Sequence, residues 1–201
     1  MTTFAVLKSD VADWLLRDDL TNAIPGFIRL CEANIRRDVK VRAMETSTTI
    51  TITSGTADLP DGFIEARRLI LDNSTCWALD YLTPDVLYST YVYIESGVAR
   101  YYTIEGDSLV FRPQNSESGL LLYTKAFDAL SAESDTNWLL TNAYDVYLYG
   151  TLLHSAPYLK DDSRIQLWGA LYEKAVASVN KQSNLSRFAG SALRTIGEVP
   201  A

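Results

Sequence analysis

The hydrophobic pattern of this chain changes its period twice along the sequence. Apolar residues recur at steps of three and four up to about residue 43, alternate with polar residues over Thr49–Thr53, and return to helical spacing after Thr136. Helices and strands distribute side chains with periods of 3.6 and 2, so the two patterns indicate different elements. The sequence therefore predicts an α+β protein in which helices from the two chain ends pack as one bundle and are separated by a β-rich insertion.

The two helical arms are predicted to contain two helices each, over residues 3–16, 21–40, 136–157 and 163–182. The third is too densely apolar for one narrow stripe, so we expect it to be buried on two sides. After residue 182 the periodicity is lost. The predicted organisation is a helical bundle of residues 1–43 and 136–182, a β-rich insertion of residues 44–135, and an extended C-terminal tail of residues 183–201.

The insertion is predicted to be rich in short strands. A turn sequence at Glu105–Ser108 indicates a hairpin, and the nearly continuous apolar run that begins at Leu120 is typical of a central strand. Thr83 and Pro84 form a helix start, with a capping residue followed by proline. The predicted strands are Thr49–Thr53, Phe63–Leu71, Trp77–Leu82, Tyr101–Ile104, Leu109–Arg112 and Leu120–Ala126.

The acidic residues are concentrated in the middle of the chain. Residues 43–135 contain 14 acidic and 5 basic residues, whereas the two flanking segments are nearly balanced. Neutralising phosphates needs clustered Lys and Arg, so this composition argues against a nucleic-acid-binding face in the insertion. A secretory signal is not recognisable at the N-terminus, and no apolar run approaches the ~18 residues of a membrane span. We expect a protein that stays in the cytosol of the cell that makes it.

Residues suited to catalysis or metal binding are few. The single histidine, His154, lies in a buried helix without a nucleophile motif, so we expect a hydrogen-bonded structural role. The carboxylate pairs Asp18-Asp19 and Asp161-Asp162 occur in turns, where Asp is favoured for local reasons. Cys31 and Cys76 form no CxxC motif and are predicted to be buried. The sequence predicts no catalytic residues, no metal site and no cofactor.

The outer face of the second predicted helix is basic. Two interpretations are open: a solvated face that pairs with Glu32 and Asp38 on the same helix, or a face that contacts an acidic neighbour. The residues of this basic face are Arg29, Arg36, Arg37 and Lys40.

The order of short motifs along the chain resembles that of the head-to-tail connector adaptor proteins of short-tailed, podovirus-like bacteriophages. Each motif alone is common, and their order and spacing carry the resemblance, which extends to about Val179. The matching segments are Thr3–Leu7, Ile24–Asp38, Leu59–Arg67, Tyr81–Pro84, Asn137–Leu140, Tyr147–Gly150 and Ala156–Leu159.

The resemblance implies a structural virion protein in the neck between capsid and tail, made in the host cytoplasm. It implies a homo-oligomeric ring, usually dodecameric, that joins the portal protein to the tail nozzle protein and lets double-stranded DNA pass without sequence-specific binding or membrane contact. An acidic insertion suits either a weakly repelling channel wall or a docking face for the next ring. The alternatives are a virion-associated cell-wall hydrolase, which needs a carboxylate pair in a cleft, and a neck or tail-completion protein of another type.

The C-terminal tail combines a few hydrophobic residues with two arginines. We expect it to be disordered when free and to dock on the portal or on a neighbouring subunit, although a solvated tail with incidental hydrophobic residues is the alternative. The predicted docking residues are Arg187, Phe188, Leu193, Arg194 and Ile196.

Overall fold

Helices and strands both contribute to the fold, which a computed structural model describes for residues 2–17, 19–72, 78–93, 96–159 and 162–188. The predicted α+β class is confirmed. The described elements are α1 (Phe4–Leu15), α2 (Ile24–Asp38), β1 (Glu45–Thr51), β2 (Thr56–Asp58), β3 (Phe63–Leu71), β4 (Asp80–Tyr81), α3 (Pro84–Thr90), β5 (Tyr101–Glu105), β6 (Ser108–Arg112), β7 (Ser118–Lys125), α4 (Trp138–Asn142), α5 (Tyr144–Leu159) and α6 (Asp162–Phe188).

The chain divides into two compact units. A helical unit consists of Met1–Arg42 and Ala129–Ala201, and a β unit consists of Ala43–Asp128. In the helical unit α5 is central and packs against α1, α2, α4 and α6. The predicted two-sided burial of this helix is confirmed, because Val146, Tyr147, Leu148 and Leu152 are all buried.

The segment predicted as one helix from Thr136 is two helices. Asn137 caps α4 by accepting a hydrogen bond of 2.9 Å from the Leu140 N–H, and the backbone leaves the helical conformation at Ala143 before α5 begins. The apolar spacing continues across this break, so the pattern alone did not locate it. Pro157, predicted to end or kink the single helix that starts at Thr136, lies inside α5, which ends two residues later.

The last helix is longer than predicted. α6 continues to Phe188, six residues beyond the predicted end at Gln182. Apolar periodicity fades there because Ser183 takes a buried position, where its side-chain oxygen accepts a hydrogen bond of 2.8 Å from the Arg42 N–H. Between Gln182 and Gly190 the sequence contains no glycine or proline that would end a helix.

Residues 130–135 were predicted to close the β-rich insertion, and they lie in the helical unit. The Phe4 N–H donates to the Asp135 carbonyl at 2.9 Å, and the Ala5 N–H donates to the Glu133 carbonyl at 3.1 Å. The first N–H groups of a helix have no partner within it, so this segment satisfies the start of α1.

The β unit contains two sheets, with strand orders β1-β7-β3 and β2-β6-β5-β4. Among the named strands of the described part of this unit, the β4–β5 pair is parallel and the others are antiparallel. The predicted central strand is confirmed as β7, and the predicted hairpin is β5–β6, with Gly106 at φ 57° in its turn. Residues of both sheets, including Leu69, Leu121 and Phe111, form one hydrophobic core.

Candidate interaction surfaces

The inner face of α2 is fixed by a buried contact with α5. The thiol of Cys31 lies 3.8 Å from the carbonyl oxygens of Val146 and Tyr147, and the side chain is fully buried as predicted. Burial raises the pKa of this thiol, which keeps it protonated and unreactive. Cys76 lies outside the described residues.

Glu32 also faces the interior, where it joins α2 to three other segments. Its carboxylate accepts a hydrogen bond of 2.9 Å from the Leu130 N–H and another from the Tyr147 hydroxyl, which in turn accepts one of 2.8 Å from Asn137. Burial raises the pKa of Glu32, and these two hydrogen bonds oppose that increase. The network ties α2 to α5, to the cap of α4 and to the segment before it.

The C-terminal end of α2 is held by α6. The Asn180 amide pairs with the backbone on both sides of the helix end, donating to the Asp38 carbonyl at 2.9 Å and accepting from the Lys40 N–H at 2.8 Å. The Tyr172 hydroxyl donates to the Asp38 carboxylate at 3.1 Å. Sequence reasoning missed Asn180 and Ser183, and the only available signal was their spacing of three on a helix that was losing its apolar stripe.

All four residues of the predicted basic face are exposed, although α2 ends at Asp38 and Lys40 lies two residues beyond it. Leu30, on the same outer side, is 53% exposed. Arg37 donates to the side-chain oxygen of Asn34, while Glu32 and Asp38 accept hydrogen bonds from Leu130 and Tyr172 as described above. The structure therefore presents these cations together on the outer side of a helix whose inner side is anchored.

His154 has the structural role that the sequence predicted. Its Nε2 lies 2.8 Å from the Asn34 side-chain nitrogen, and burial, followed by the nearby Arg37 charge, lowers its pKa. A neutral imidazole can accept this hydrogen bond at neutral pH. The ring thus links α5 to α2.

Of the carboxylate pairs Asp18-Asp19 and Asp161-Asp162, the structure describes the side-chain contacts of Asp19. Asp19 is bound by Arg17 through two hydrogen bonds of 2.6 Å on an exposed turn, and this partner lowers the Asp19 pKa. Asp18 and Asp161 lie outside the described residues. Within the described ranges, no group of three or more His, Cys, Asp or Glu side chains is placed to hold a metal ion.

The acidic side chains of the β unit lie mostly at its surface. Those that are exposed are Glu45, Asp58, Asp61, Glu65, Asp72, Asp80, Asp85, Asp107 and Asp128. Lys125, which forms an ion pair of 3.0 Å with Asp128, is one of five basic residues in this unit. The β unit therefore presents a predominantly negative surface.

The predicted C-terminal docking residues fall at and beyond the end of α6. Arg187 is exposed in the last described turn of α6, and Phe188 is the last residue of the chain that the structure describes. Leu193, Arg194 and Ile196 lie outside the described residues. In the part of the chain that the structure describes, no helix has the length and apolar character needed to cross a membrane.

A family model described as the SU10 adaptor protein matches residues 2–195, nearly the whole chain. No curated protein matches the sequence. The match includes both the helical unit and the β unit.

Proposed function

Because this chain belongs to the SU10 adaptor protein family, whose members are structural phage proteins, we propose that it forms an adaptor ring between portal and tail nozzle. In this proposal many copies of the chain close into a ring in the virion neck, and DNA passes through its centre. The resemblance in motif order supports the same position.

The observation that carries this proposal is the separation of charge between two surfaces of one chain. The basic face of α2 carries four exposed cations, and the β unit carries nine exposed carboxylates. Surfaces of opposite charge on one chain favour a contact in which the basic surface of one copy meets the acidic surface of the next. Complementary potentials select the partner and its orientation. Head-to-tail contacts close into rings when the rotation between subunits allows it.

Anchoring makes the basic face suitable for such a contact. Asn180 and Tyr172 fix the end of α2, and Glu32 and Cys31 fix its inner side. A rigid helix loses little conformational freedom when it binds, so more of the interaction energy contributes to affinity. Of the two interpretations that the sequence left open for this face, a solvated face or a contact with an acidic neighbour, we propose the contact.

The acidic β unit suits passage of DNA better than retention of it. Each phosphate that is neutralised by Lys or Arg adds affinity that must be broken as the DNA moves. The β unit has few basic residues with which to form such contacts. In the proposed ring, repulsion between carboxylates and phosphates keeps passing DNA from adhering to any part of this unit that lines the channel.

The C-terminal residues supply attachment to a partner. Arg187 and Phe188 at the end of α6, with Leu193, Arg194 and Ile196 beyond it, are proposed to dock on the portal or on a neighbouring subunit. Arginine is enriched among the residues that dominate binding at interfaces, and this segment contains two arginines. Repetition around a ring converts a modest affinity per copy into tight attachment.

Negative-stain microscopy of virions that carry an N-terminal label on this protein tests the proposal. We expect the label at the neck, between capsid and tail. A label on tail fibres, at the distal tail tip or on the capsid faces would contradict the adaptor role. A phage strain that lacks this gene should accumulate DNA-filled heads without tails. If the protein were a cell-wall hydrolase, its deletion would leave the neck intact.

A further inference from the structure

A cleft of about 650 Å³ separates the edges of the two sheets in the β unit. Its two walls are runs of consecutive residues: Ile64–Arg68 of β3 on one side, and Ala78–Tyr81, at and before β4, on the other. Tyr102 and Ile104 of β5 also line it. Continuous stretches of β3 and of the segment that leads into β4 therefore border the cleft.

The sheets join at one end of this cleft and separate along it. The Leu79 N–H donates to the Leu69 carbonyl at 2.9 Å, and Ile70 pairs with Ala78. The chain then turns to β5, where the N–H groups of Asp80 and Leu82 donate to Arg100 and Tyr102 at 3.1 and 2.9 Å.

Backbone groups that make no hydrogen bond to another described backbone group therefore border the cleft on both sides. In a strand, neighbouring residues direct their N–H and C=O groups to opposite edges, so those of Tyr81 point away from β5. Along Ile64–Arg68, the outer edge of β3 makes no backbone hydrogen bond with another described residue. Two open edges that face one cleft are suited to receiving an added strand.

We propose that residues 189–201 of a second copy of this chain bind in the cleft as an extended strand between β3 and β4. This inference rests on the proposed ring, in which copies of the chain are neighbours. It assigns the docking site of Leu193, Arg194 and Ile196 to the adjacent subunit.

The length of the segment fits this site. Thirteen residues follow Phe188, the last residue of α6. In extended form they span about 43 Å, whereas the five-residue open stretch of β3 is about 16 Å long. The difference leaves a tether between the end of α6 and the cleft.

The chemistry of the segment also fits. Its apolar residues Leu193, Ile196 and Val199 match the apolar part of the lining, where Tyr81 is 50% exposed. The cleft carries two cations, Arg67 and Arg68, and two carboxylates, Glu65 and Asp80. Arg194 and Glu198 offer one charge of each sign to these groups.

Pairing with a second sheet edge is disfavoured by the shape of β3. Its register against β7 shifts between Phe63 and Glu65 and again between Ala66 and Arg68. Such irregularities increase local twist, and natural sheets use them to prevent edge-to-edge association. A tethered single segment can follow a twisted edge that another sheet cannot.

Disulfide trapping in labelled virions tests the assignment. The full chain carries Cys76→Ser, Arg67→Cys in the cleft wall and Thr195→Cys in the segment, while Cys31 stays buried. After mild oxidation we expect covalent dimers and larger multimers on a non-reducing gel. The matched control carries Ser47→Cys in place of Arg67→Cys. Ser47 is exposed on β1, at the other edge of the same sheet, so this variant should stay monomeric.

Three results would overturn the proposal: no cross-link, equal cross-linking of the control, or a link within a single chain identified by mass spectrometry of the monomer band. If the Arg67→Cys chain does not enter particles, Tyr81→Cys tests the opposite wall with the same Thr195→Cys partner. The N-terminal label used to locate the protein in virions separates the cleft assignment from the adaptor-ring proposal. A neck label without cross-links contradicts only the cleft assignment, whereas multimers with a label elsewhere support the cleft and contradict the adaptor ring.

Discussion

Gly150 of α5 lies directly against Cys31 of α2. A Cβ atom at position 150 would overlap the Cys31 thiol and lie 3.1 Å from two carbons of the Tyr172 ring on α6. Three helices therefore approach one another at a point where only hydrogen fits. This contact places α2 at its observed distance from α5 and so contributes to the position of the basic face.

Gly150→Ala is expected to destabilise the helical unit. Overpacking a dense core typically costs ~1–3 kcal/mol, more than the ~0.5–1 kcal/mol that alanine gains over glycine in a helix. Urea unfolding followed by circular dichroism measures the difference. Gly169→Ala on α6 is the matched control, because its Cβ would meet only Leu153 at 3.9 Å, and it should be neutral or stabilising. Adding Cys31→Gly should recover part of the Gly150→Ala loss, and equal stability of both alanine variants would show that the contact is not tight.

Glu32→Gln is expected to change how stability depends on pH. Burial raises the Glu32 pKa in the folded state, so the stability associated with its protonated form is present below the unfolded pKa and lost as pH rises through the folded pKa. Gln keeps an acceptor for the Leu130 N–H and does not ionise. The free energy of unfolding of Glu32→Gln relative to wild type should therefore increase from about pH 4 to pH 7.

Urea titrations at several pH values measure this difference. Glu32→Leu, which removes the acceptor, should be less stable than Glu32→Gln at every pH. A constant difference between Glu32→Gln and wild type across the range would mean that the Glu32 pKa is not raised.

Asn180→Ala is expected to cost ~1–3 kcal/mol, because it removes two hydrogen bonds to the backbone at the end of α2. Chemical denaturation provides the measurement. Asn184→Ala, an exposed change on the same helix, is the control and should stay within about 0.5 kcal/mol of wild type. If both variants unfold at the same urea concentration, α6 does not hold α2 through Asn180.

Deletion of the β unit tests whether the two helical arms form an independent bundle. A flexible linker from Arg42 to Ala129 retains residues 130–135, whose backbone groups contact α1 and whose Leu130 N–H contacts Glu32. We expect a soluble protein with helical circular dichroism and a cooperative unfolding transition. A linker that joins Arg42 to Asp135 removes most of these contacts and should give a less stable protein. Loss of helical signal in the longer variant would mean that the bundle needs the β unit.

Charge reversal on the basic face tests its proposed role in assembly. Arg29→Glu with Lys40→Glu should reduce incorporation into virions without changing the urea midpoint, because both side chains are exposed. Lys174→Glu with Lys181→Glu makes the same change in charge at exposed positions of α6. Quantitative immunoblots of purified particles compare the pairs. Equal incorporation of the two pairs would exclude a specific contact at α2.

Local patterns in the sequence determined the class and most elements of this protein. Turn residues on both sides of a short mixed run predicted β3, with both boundaries correct, and turn residues also predicted the β5–β6 hairpin. The apolar run at Leu120 identified the central strand β7. These elements follow from the neighbours of each residue in the chain, which is why periodicity and turn chemistry detect them. The basic face of α2 was also predicted, because Arg29, Arg36 and Arg37 lie within the predicted helix, although Lys40 lies beyond the end of α2.

Tertiary structure alone decided which polar residues join distant segments. Asn180 and Ser183 look like the end of an amphipathic pattern, and their role depends on the backbone of Asp38, Lys40 and Arg42. Residues 130–135 read as part of the insertion, yet they satisfy the first N–H groups of α1. The cleft between β3 and β4 likewise exists only because two sheets meet at Leu69 and Leu79. Such features depend on contacts between residues that are far apart in the sequence. The spacing of residues within one segment therefore cannot predict these contacts.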